Sequence, residues 1–101
     1  MSKKVLRKGE KLTTDWQLIT NEQVRSSPAA AESVLVNVSV FHADYQTRDG
    51  FVHVSGARRV VAVNVETGKS HQRPQSFYGE TAWSDADRAF GDIVSELRYA
   101  R

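Results

Sequence analysis

Val34-Leu35-Val36-Asn37-Val38-Ser39-Val40-Phe41-His42-Ala43-Asp44-Tyr45 sets valine at every second position from 34 to 40. Side chains alternate across an extended strand, so this spacing makes one apolar face and one mixed face. At about 3.3 Å per residue the stretch would form a strand roughly 40 Å long. The same rhythm returns in Val52 and Val54, and again in Val61, Val63 and Val65. Between the first two segments, Gln46-Thr47-Arg48-Asp49-Gly50 reads as a hairpin loop, with Gly50 at a positive-φ position.

A strand this long needs a partner of similar length, so Phe51 to Glu66 reads as its return strand and the two form a long hairpin over 34–65. Valine parity changes from even to odd across Gly56-Ala57-Arg58-Arg59. One extra residue in a β-bulge near Gly56 would account for that without a change of face. On this reading nine valines share one apolar face.

The helix signal lies at the C-terminus, over about 84–99. Ser84 reads as its N-cap, and Asp85 and Asp87 set negative charge against the positive end of the helix dipole. Ala86, Phe90, Ile93, Val94 and Leu97 recur at helical spacing and make one stripe, with Arg98 and Arg101 suited to the C-terminal end. Laid across the valine face, this stripe gives the expected fold: α+β, an antiparallel sheet of three or four strands packed on one face by a helix. Trp16 to Thr20 is a short strand candidate, and Ser27-Pro28 could open a helical turn. Thr67-Gly68 makes a turn, after which His71 to Tyr78 returns as an edge strand, its position set by Pro74.

Length and charge bound the rest. A chain of 101 residues suits one domain, here 15–101, preceded by a flexible basic arm over 1–14. Residues 1–11 hold five basic residues against Glu10 alone, whereas the remainder holds nine basic and eleven acidic. The net +2 therefore belongs to the arm, and the body is slightly acidic. No cysteine is present, which excludes disulfides, thiolate chemistry and cysteine-type zinc sites. The chain has no apolar run of the roughly 18 residues needed to span a membrane, and its first residues lack a signal-peptide apolar region. A reducing cytoplasm and no membrane partner are the expectation.

Catalytic constellations are sparse. His42 and Asp44 share a strand face and His71 could join them, but only the first two are oriented together and a catalytic zinc usually takes three protein ligands. Paired to Asp44 at the end of the apolar face, His42 reads as structural. Thr67-Gly68-Lys69-Ser70 resembles the end of a phosphate loop, yet Val63 stands where its first glycine belongs and no helix follows. No cofactor, metal or enzymatic activity is expected.

The mixed face of the hairpin remains. It carries Asn37, Phe41, Tyr45, Phe51 and His53, three aromatics among small polar groups, and one helix cannot cover both faces of a sheet. Either residues 15–33 close over it, Trp16 and Leu18 forming a second small core, or it meets a partner. The leading expectation is a non-enzymatic protein-binding module (adaptor, inhibitor or assembly component) that uses this face for another protein or for self-association. The alternative is a nucleic-acid-binding protein. It would use Lys3, Lys4, Arg7 and Lys8 of the arm, Arg58 and Arg59 at the bulge, and Lys69, Arg73 and Tyr78 at the edge, neutralising phosphates and stacking on bases.

Overall fold

The computed structural model describes residues 2–26 and 33–99. Ser27, Pro28 and Arg101 of the expectations above lie outside them. Five strands and one helix follow in order: β1 Lys11–Leu12, β2 Gln17–Arg25, β3 Leu35–Gln46, β4 Val52–Asn64, β5 Gln75–Tyr78 and α1 Ala82–Arg98. All strand pairs are antiparallel, with β3 and β4 central, β5 beside β4, and β1 and β2 sharing the other side of β3. The α+β fold with a long 34–65 hairpin and a C-terminal helix is as expected. The sheet has one strand more than the upper expectation, because β1 is too short to leave a period in the sequence.

Parity across the bulge corrects the expectation. Ala43 pairs with Ala57 and Tyr45 with His53, so two steps along β3 match four along β4. The bulge near Gly56 thus holds two extra residues, and an even insertion leaves the faces unchanged. Val36, Val38 and Val40 therefore share their face with Val60 and Ala62, which are fully buried, and not with Val61 and Val63. Those two lie half-buried on the opposite face, and Val52, Val54 and Val65 are exposed. Val54 is 76% accessible.

The helix starts two residues earlier than expected, at Ala82, with Thr81 as its N-cap. Ser84 lies within the first turn and donates its hydroxyl to the Thr81 carbonyl (3.0 Å). Ala82, Ala86, Ala89, Ile93, Val94 and Leu97 face inward, with Phe90 packed beside them. They close on Val24, Val36, Val38, Val40, Val60, Ala62 and Phe77 to form the main core. Arg98 in the last turn pairs with Glu22 of β2, tying the end of the helix to the sheet edge.

A second core fills one end of the opposite face. Tyr45, Ala43, Ala57 and Tyr78 are buried there beneath Leu6, Leu12 and Trp16. The segment read as an arm runs across this end of the sheet. Lys3 exchanges backbone bonds with Tyr78 of β5 (3.0 and 2.8 Å), and Lys11 and Leu12 pair with Gln46 and Tyr45 of β3. Its leucines pay for the ordering by covering aromatic surface that one helix cannot reach.

Polar contacts hold that strap. Glu10 pairs with Lys3 and accepts the Arg7 N–H (2.7 Å), which pulls its carboxyl below the ordinary 4.5. Asp85 accepts the Ser2 hydroxyl (2.5 Å) and N–H (3.2 Å), which pulls it below the ordinary 3.8. Depressed carboxyls stabilise the folded state above their unfolded values, and that stabilisation fades as pH falls through the folded ones. Acidification below about pH 4 is therefore expected to loosen residues 2–12 first, seen as faster amide exchange at Lys3 than in β3.

The corrected parity is tested by truncation. Val60→Ala removes two buried methyl groups and is expected to cost about 2 kcal/mol in denaturant unfolding. Val54→Ala should stay within about 0.5 kcal/mol of the parent.

Candidate functional site

The bulge is built from a run of small residues, Ser55-Gly56-Ala57, that lets β4 fold back on itself. Ser55 has φ +53°, alone in this respect among the described residues other than glycine. Left-handed backbone costs a residue with a Cβ about 1–2 kcal/mol, so something must hold it. The Asp44 carboxylate accepts the Ser55 N–H (2.7 Å), the Ser55 hydroxyl bonds His42 Nδ1 (2.8 Å), and Arg58 Nε donates to the Ser55 carbonyl (3.2 Å). His42 thus meets Ser55 where a pairing with Asp44 was expected. A Cβ on Gly56 would overlap His53 and come within 3.0 Å of the Tyr45 ring.

By turning β4 back, the bulge stacks His53 on Tyr45 with ring centres 4.8 Å apart, and Phe51 meets the His53 edge at 4.8 Å. Tyr45 is 1% accessible, so it belongs to the second core and not to a contact surface. Phe51 is exposed at the hairpin end. With Val52, Val54, Arg58 and Trp83 it lines an open groove of about 450 Å³.

Phe41 and Asn37 lie elsewhere, on the half of the second face that the strap leaves open. Cross-strand pairing orders this half into three rows. Phe41 sits between Leu18 and Arg59, Ser39 between Asn21 and Val61, and Asn37 between Gln23 and Val63. Leu35 and Arg25 extend it at the far end. Asn21 donates to Asn37 (3.4 Å), and Asn37 donates in turn to the Ser39 hydroxyl (3.3 Å). Arg59 lies over the Trp16 ring (4.5 Å) and donates to Ser76 (3.0 Å), which marks the border with the strap. Leu18, expected in the second small core with Trp16, is 54% accessible instead. No strand residue of these rows carries a carboxylate, while Arg25 and Arg59 are cationic.

The aromatic surface read as one patch is therefore two: Phe41 on the open face, and Phe51 with His53 at the hairpin end. Sequence reasoning missed Leu18, Asn21, Gln23, Val61 and Val63. In Val60-Val61-Ala62-Val63 both parities are apolar, so periodicity could not say which set faced outward. The register of β2 gives Asn21 and Gln23 their places, and a bulge at Ile19 sets that register.

The residues of the nucleic-acid reading do not form one surface: Lys3, Arg7 and Lys8 meet at one cavity and the rest lie apart from it. Arg58 and Arg59 point to opposite faces, and Lys69 and Arg73 are exposed beyond β4. Tyr78 is buried under the strap. Lys3 is paired with Glu10, and Lys4 lies over the Phe77 ring (5.8 Å). Arg7 and Lys8 meet Arg48, Lys3, Glu10, Thr47 and Asp49 around a cavity of about 700 Å³. Among the described residues no three histidine or carboxylate side chains converge to hold a metal ion, and no helix is long and apolar enough to cross a membrane. No family model, curated protein or solved structure matches this chain.

The bulge lock separates strain from hydrogen bonding. Ser55→Ala and Ser55→Gly both lose the His42 bond, but glycine accepts a positive φ without cost. Ser55→Gly is expected to be more stable than Ser55→Ala by about 1 kcal/mol in chemical denaturation.

Proposed function

We propose that this chain is a non-enzymatic protein-binding module whose partner seats on the open half of the second sheet face. The observation that carries the reading is the make-up of that half: Leu18, Phe41, Val61 and Val63 beside Asn21, Gln23 and Asn37, with Arg25 and Arg59 and, among the described residues, no carboxylate. Apolar anchors among amides and arginine have the chemistry of an interface centre, where acidic residues are depleted and arginine is enriched. The other half of the face is closed by Leu6, Leu12 and Trp16.

The want of a single basic and aromatic surface supports a protein partner over nucleic acid, since Tyr78 is buried and Arg58 and Arg59 diverge from each other and from the arm cations. Another protein or a second copy of the chain could occupy the face. A cytoplasmic setting is part of this proposal, and a chain without cysteine is compatible with it.

The test is affinity capture from source-cell extract, followed by reconstitution with the purified partner. Val61→Asp is expected to weaken that binding by about tenfold or more, with the parent's circular dichroism and melting retained. Val54→Asp, at the exposed bulge, should leave it unchanged. A loss of folding on Val61→Asp would place the residue in the core and sink the proposal, as would a partner retained by the folded variant.

A further inference from the structure

Strand β2 is held from one side only. Eight of its nine residues pair with β3, and among the described residues no other backbone group bonds them. In an antiparallel ladder successive residues direct their N–H and C=O to alternate sides, so the outer edge of β2 presents about eight unpaired backbone groups. Such an edge is a template for another strand. Natural edges carry proline, lysine or inward charge as guards, but Gln17–Arg25 contains no proline and no lysine, and its Glu22 is taken up by Arg98. The bulge at Ile19 interrupts only the first part, so Thr20–Arg25 runs in unbroken register against β3.

The side chains beside the edge select what can lie there. On the second face β2 presents Asn21, Gln23 and Arg25, and among the described residues the open half offers no carboxylate to balance Arg25, while Arg59, two strands further in, is held by Trp16 and Ser76. A second copy brought edge to edge would present the same face, without a carboxylate among the described residues, and leave Arg25 unmatched. An acidic strand would match Arg25, because opposite charges on neighbouring strands attract at short range and like charges repel.

We infer that β2 accepts an extended acidic segment of a partner protein as an added strand, its alternate carboxylates lying on the second face beside Arg25. This rests on the protein-binding reading above and specifies how the partner is held: by the backbone at the edge, with side chains reaching onto the open face.

The probe is a blocked peptide alternating valine and glutamate, titrated into the full chain at low salt with amide exchange followed by NMR. A strand added at one edge uses only every second backbone group of the peptide. N-methylation of alternate residues in one phase should therefore weaken binding about tenfold, and in the other phase hardly at all. Exchange of alternate β2 amides should slow on binding, Arg25→Glu should weaken the peptide about tenfold, and a valine–lysine peptide should not bind.

Equal effects of the two methylation phases would overturn edge pairing while leaving face binding in place. So would absence of peptide binding by a protein whose captured partner is still lost in Val61→Asp. Displacement of the peptide by single-stranded oligothymidine, or a concentration-dependent dimer with its β2 amides already protected, would replace the acidic segment with nucleic acid or a second copy. Failure of both the peptide and the Val61→Asp test would remove the inference together with the reading beneath it.

Discussion

The pairing of β3 with β4 across a two-residue bulge is the constraint on which the rest of this structure depends. Ten aligned residue pairs join the strands, and their register is broken once, between Ala43–Ala57 and Tyr45–His53. A side chain changes face with every residue, so an odd insertion would have exchanged core and surface along half of β4. The insertion is even. Val60 and Ala62 stay beneath the helix, and Val61 and Val63 stay on the open side. Asp44, His42 and Arg58 hold Ser55 in the left-handed backbone that the insertion requires.

The two sheet faces are stabilised by different means. Beneath α1, aliphatic side chains interlock along most of the helix, and the small Ala82, Ala86 and Ala89 let its axis approach the valines closely. On the other face, coverage comes from a strap with little regular structure, held by Leu6, Leu12 and Trp16 and by contacts from Ser2, Lys3 and Glu10. Those polar contacts are partly buried ion pairs and hydrogen bonds that respond to acid, whereas the valine core does not. The strap covers the Tyr45 end alone, so one half of a single face is core and the other half stays open.

The helix, the long hairpin and the location of the bulge were legible in residue spacing because each rests on a local period. The candidate site was legible only in part. Asn37 and Phe41 follow from the alternation in β3, where a polar and an apolar set separate cleanly. Val61 and Val63 do not, since in Val60-Val61-Ala62-Val63 either set could be core. Tyr45 was read as a surface aromatic because nothing in the lysine-rich first residues announces that their leucines would bury it. Likewise Arg48 meets Arg7 and Lys8 across a cavity although about forty residues separate them in the chain.

By itself the sequence determined an α+β domain, a β3–β4 hairpin and a helix whose apolar stripe had to lie on a sheet, since period and composition act over a few neighbouring residues. The tertiary structure decided how many residues the bulge absorbs, which valines are core, and which half of the second face stays open. Those outcomes depend on register and on contacts between distant segments. A one-residue difference in register reverses every side chain beyond it, and no local pattern records that number.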